Sequence, residues 1–78
     1  MKLVTEGTNR TTLVLKDGTQ IFFSYETPVA GFHPVIGWFK TNERFSTTTL
    51  KHIGQFLNGA ADVAVVEQDW ITKLVGRI

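Results

Sequence analysis

The chain has 78 residues, 42% hydrophobic and 19% charged, with a net charge of +1 and no cysteine. That length holds one domain, taken here as residues 1–78, with a small core and modest stability. Low charge with six Phe, two Trp and one Tyr excludes a disordered chain, and the missing cysteines exclude disulfides, a thiolate nucleophile and a Cys-based zinc site.

No run approaches the ~20 apolar residues of a membrane span. Glu6, Arg10, Lys16 and Asp17 interrupt any apolar signal region. The expected location is therefore the cytoplasm, without membrane contact.

The first firm element is a hairpin at Lys16-Asp17-Gly18, where Asp-Gly separates two alternating runs. A three-residue loop with Gly18 left-handed sets Leu13 opposite Ile21 and Thr11 opposite Phe23. It puts Leu13, Leu15, Ile21, Phe23 and Tyr25 on one face. A two-residue loop would set Leu15 opposite Gln20 and scatter that face, so the pattern favours the longer loop. Phe22 then lies on the outer face as an exposed apolar contact.

Thr27-Pro28 reads as the end of this strand, because proline lacks the ladder donor. Gly31 to Pro34 reads as a loop, with Phe32 and His33 exposed in it. Val35 to Thr41 reads as the next strand, apolar on both faces and central. Asn42-Glu43-Arg44 is a polar connector.

Ser46 is a good N-cap for a helix over about 46–58. Phe45 and Leu50 have hydrophobic-staple spacing, Leu50, Ile53 and Leu57 share a stripe flanked by Phe56, and Asn58-Gly59 is the stop. Three threonines in the first turn are poor helix formers, so packing or function must account for them. Val63 to Val66 reads as a short buried strand. Asp69 is the expected cap of a last helix, with Trp70, Leu74 and Ile78, beside Ile71 and Val75, at helical spacing. The expected fold is α+β: a small antiparallel sheet of three to four strands, the main helix on one face, and a short C-terminal strand and helix.

The blocks Ser24-Tyr25-x-Thr27-Pro28-Val29-Ala30 and Phe45-Ser46-x-Thr48-Thr49-x-x-His52-Ile53 resemble a family of small uncharacterised proteins from bacteriophages, plasmids and bacterial genomes. The resemblance spans roughly residues 20 to 57. Gly54 departs from it, since a more helical residue, often Asn, is expected there. The resemblance implies a small accessory protein of phage or mobile-element type, working in the cytoplasm of a bacterial host cell. It implies no activity.

Two candidate surfaces emerge. The first is Tyr25, Thr27, Thr48, Lys51 and His52, with Thr49. If the Tyr25 turn meets the helix N-terminus, hydroxyls, amides and Lys51 could hold an anion or a protein partner. The competing reading is structural: Ser46 caps the helix and the polar cluster locks the turn. The second is Trp38, Lys40 and Arg44, with Lys51 and neighbouring Phe22 and Phe39, as a stacking surface for nucleic acid.

A catalytic site needs a nucleophile, a base or a metal in a pocket. No nucleophile-elbow spacing or phosphate-binding glycine loop occurs, and His33 and His52 lack metal-ligand spacing. The expectation is a protein without enzymatic activity, cofactor or metal. It binds a host or phage protein, with nucleic-acid binding as the alternative and self-association through edge strands open.

Overall fold

The computed structural model describes residues 2–5 and 9–76. Its order is β1 (Lys2–Thr5), β2 (Arg10–Val14), β3 (Gln20–Ser24), β4 (Thr27–His33), β5 (Gly37–Thr41), α1 (Thr47–Phe56), β6 (Ala64–Val66) and α2 (Gln68–Val75). The strands form one six-stranded sheet in sequence order. All neighbours are antiparallel except β5 and β6, which are parallel and joined through α1. The fold is α+β, with a larger sheet than the three or four strands expected. No described helix is long and apolar enough to cross a membrane.

The β2–β3 hairpin takes the expected register, Leu13 opposite Ile21 and Thr11 opposite Phe23. Leu15 N donates to Thr19 O at 2.8 Å, Gly18 N donates to Leu15 O at 3.1 Å, and Gly18 has φ 96°. Asp17 Oδ1 accepts from Thr19 N at 2.9 Å. That bond holds the Asp17 carboxyl below its ordinary pKa of 3.8, with a smaller electrostatic contribution from His33.

Each face of the sheet carries its own core. Ile21 and Phe39 pack with Ile71 and Leu74 of α2 on one face. Phe22, Val29 and Ala30 pack with Ile53 of α1 on the other, joined by Phe45, Phe56 and Leu57. Phe22 is only 1% exposed, and its ring stacks on Phe56 at 4.6 Å between centroids. Its expected exposure was wrong because α1 covers the outer hairpin face.

The segment from Thr27 to His33 is a strand rather than a strand end and loop. Pro28 is accommodated by a bulge: Phe22 pairs with Ala30 and Phe23 with Pro28, leaving Val29 as the extra residue. The bulge lets adjacent Val29 and Ala30 join one core. Phe32 is therefore a half-buried strand residue opposite Trp38, with ring centroids 4.9 Å apart. His33 ends the strand half-buried, and its Nδ1 accepts from Val35 N at 3.1 Å. Val35 and Ile36 fall in the following turn, and β5 starts at Gly37, where φ is 84°.

Ser46 caps α1, accepting from Thr49 N at 3.3 Å. The helix buries Thr49 and Ile53, while Leu50 is 52% exposed and so lies off the expected apolar stripe. In α2 the N-cap is Glu67 rather than Asp69, which instead pairs with Lys73 at 3.0 Å one turn on. Ile78 lies outside the described residues. β6 is an edge strand with Val65 60% exposed, so it is only partly buried.

Candidate interaction site around Tyr25 and His52

β3 ends at Ser24, whose backbone pairs with Thr27 across the two-residue turn Tyr25-Glu26. Of these two, only Tyr25 has a positive φ, 59°. A hairpin turn of that kind ordinarily places glycine at its first central position, because a Cβ there is strained. Tyr25 N donates to Asn9 O at 2.7 Å, tying the turn to the start of β2. Tyr25 was expected on the Leu13 face. The turn rotates it to the α1 side, where its ring meets the His52 ring at 5.8 Å.

Beneath Tyr25 the two sequence blocks meet. Ser24 Oγ lies 2.8 Å from His52 Nδ1 and 3.2 Å from Thr49 Oγ1. Thr49 Oγ1 in turn lies 3.3 Å from Ser46 Oγ, which also caps the helix. Ser24 is 2% exposed and Thr49 6%. Each hydroxyl has one proton, so two arrangements satisfy the group. Either His52 Nδ1–H donates to Ser24 and Ser24 to Thr49, or Thr49 donates to Ser24 and Ser24 to Nδ1. In both, the Ser24 hydroxyl is committed on two sides. A serine beside a histidine is the geometry of an activated nucleophile. Here the oxygen is buried between β3 and α1, so it bridges elements instead of facing a substrate.

Of the five expected residues, the fold brings Tyr25 and His52 into contact. Thr48 sits one turn before His52 on the exposed side of α1, with exposed Lys51 alongside. Thr27 is half-buried and, with Asn9, Tyr25 and Glu26, lines an open cleft of about 500 Å³ on the turn's side. Farther along the helix, Gln55 Oε1 accepts from Arg10. Ser24 is the residue absent from the five. Its signal was its place on the polar face of an alternating strand, which only the covering helix turns into an interior position.

The second candidate surface is split by the sheet: Trp38 and Lys40 share the face of Phe22, and Phe39 lies on the other. Phe22 and Phe39 are buried on opposite faces and cannot stack with a base. Trp38 is half-buried, edge-on to both Phe32 and Phe56. Lys40 and Arg44 are exposed.

A model for a family of unknown function (DUF8033) matches residues 1–73, so the chain belongs to that family. No curated protein and no solved structure matches.

Proposed function

For this member of the family, we propose a small non-enzymatic interaction protein of phage or mobile-element type, which binds a host or phage protein. Its contact face is Tyr25 with Thr27, Thr48, Lys51 and His52. The observation that carries this reading is Tyr25 itself. An aromatic residue occupies a strained turn position suited to glycine, is braced by His52, and is still 50% exposed. Glycine would ease the turn but would present no ring. Half-exposed tyrosines on rigid supports are typical anchors of protein interfaces. The phage or mobile-element setting rests on the two sequence blocks and their resemblance.

The buried Ser24 hydroxyl supports the non-enzymatic reading. Nucleic-acid binding through Trp38, Lys40, Arg44 and Lys51 is the alternative. It is weaker because Trp38 is edge-packed and the chain's net charge is only +1.

The test is capture of partners from a bacterial host lysate with tagged protein, with and without nuclease. Tyr25→Ala and a Thr48→Ala, Lys51→Ala double variant run alongside, each checked for folding by circular dichroism. A protein partner that survives nuclease and is lost with folded variants supports the proposal. Recovery of nucleic acid, or loss of every partner on nuclease treatment, replaces it with the alternative.

A further inference from the structure

Helical spacing gives α1 two flanks beside its buried stripe. One carries Thr48, His52 and Gln55 toward β2 and β3. The other carries Leu50, Gly54 and Leu57 toward the outer strands. There an open groove of about 360 Å³ runs between α1 and the sheet, with Lys40, Glu43 and Val63 on its far side.

The internal packing leaves two features of this second flank unexplained. Gly54 lies within the helix, where glycine is a poor helix former. A Cβ built on it meets nothing within 4 Å, so no neighbour inside the chain excludes alanine. One turn earlier, Leu50 is 52% exposed although Thr49 and Ile53 beside it are buried. An apolar knob thus stands beside an apolar groove, on a stretch of helix stripped of bulk. The rim carries one cation, Lys40, and one acid, Glu43. Val65, opposite Lys40 on the edge strand and 60% exposed, extends the apolar area.

We infer that this flank is a self-association surface, on which α1 docks against α1 of a second copy about a two-fold axis near Gly54. The argument for a second copy is self-complementarity. A two-fold interface must carry both halves of every contact on one surface. Here the knob, the groove and the two opposite rim charges lie together. An antiparallel crossing at Gly54 brings each Leu50, which lines the rim of its own groove, against the groove of the other copy. Glycine at the crossing lets the two backbones approach closely. This surface lies on the opposite flank of α1 from the Tyr25 face and goes beyond the function proposed above.

The experiment is sedimentation equilibrium of the purified chain from low micromolar to millimolar concentration. The expected result is a concentration-dependent monomer–dimer equilibrium. Leu50→Asp should remain folded by circular dichroism, since the site is exposed, and stay monomeric throughout. Gly54→Ala should raise the thermal midpoint of the dilute monomer. It should also weaken the dimer about tenfold or more, the scale of a small-to-large clash in a close-packed contact. Tyr25→Ala should leave dimerisation unchanged, which separates this surface from the Tyr25 face. A chain that is monomeric at millimolar concentration overturns the inference. So does a dimer that neither Leu50→Asp nor Gly54→Ala weakens. Loss of a captured host protein in those two variants, with no dimer in the parent, would assign the groove to that partner instead.

Discussion

Ser24 Oγ on β3 and His52 Nδ1 on α1 lie 2.8 Å apart and join two residues 28 positions apart in the chain. Removing the buried hydroxyl takes from His52 Nδ1 its partner and leaves Thr49 Oγ1 with Ser46 Oγ alone. Ser24→Ala should therefore cost about 1–3 kcal/mol, the usual penalty for leaving buried polar groups unpaired. His52→Ala should also destabilise, and the double variant should cost less than the sum of the two singles by about 0.5–3 kcal/mol. Urea denaturation of the four proteins closes the cycle. Strict additivity would mean that this contact does not operate in solution.

Tyr25 allows strain to be separated from contact. Tyr25→Ala loses the ring against His52 and keeps a Cβ at φ 59°. Tyr25→Gly loses the same ring but relieves the backbone. At this position the glycine variant should be the more stable of the two by about 1–2 kcal/mol, reversing the usual order in regular structure. Equal midpoints, or a more stable alanine variant, would show that the turn is unstrained.

The hairpin register was legible because a one-residue slip inverts every side chain, and only one loop length keeps Leu13, Ile21 and Phe23 together. The Ser46 cap was legible because capping chemistry is local. Phe22 was misplaced for a different reason. Alternation tells which residues share a face, but not whether a later helix covers both faces. The strand through Pro28 was hidden because a bulge, invisible in residue pattern, removes the conflict between proline and the ladder. For the candidate site, Tyr25 and His52 could be named from their blocks. Ser24 between them could not, since its burial depends on α1 lying across β3.

Gly31 faces Phe39 across β4 and β5. A Cβ there would lie 2.1 Å from Gln20 O and 2.6 Å from the Phe39 ring, so backbone and core ring both resist displacement. Gly31→Ala should cost about 3 kcal/mol or more, at the upper end of overpacking. In a domain this small that is a large share of total stability. A midpoint close to the parent's in chemical denaturation would contradict the packing of Phe39 over this glycine.

Asp17 supplies a pH dependence of defined sign. Its folded-state pKa is lowered from 3.8 by the bond from Thr19 N, so folding favours the carboxylate. Its contribution is complete above the unfolded-state pKa and is lost as pH falls through the folded one. The stability difference between the parent and Asp17→Ala should thus shrink as pH drops below about 4. Denaturation curves taken across that range measure it. A difference that grows on acidification would reverse the assignment.

Ile53 on α1 and Ile71 on α2 are both buried, but in different cores separated by the sheet. Ile→Val removes one methylene and should cost about 0.5–1.5 kcal/mol at either site. Because the two cores share no side chains, the double variant should equal the sum of the singles within about 0.3–0.5 kcal/mol. Coupling beyond that would require strain to pass through β3 and β4, which supply Ile21 to one core and Phe22, Val29 and Ala30 to the other. A Gly31→Ala background tests that route directly. Displacing Phe39 and the Gln20 carbonyl beside Gly31 disturbs the sheet from which both cores are built, and there the two isoleucine changes should cease to add.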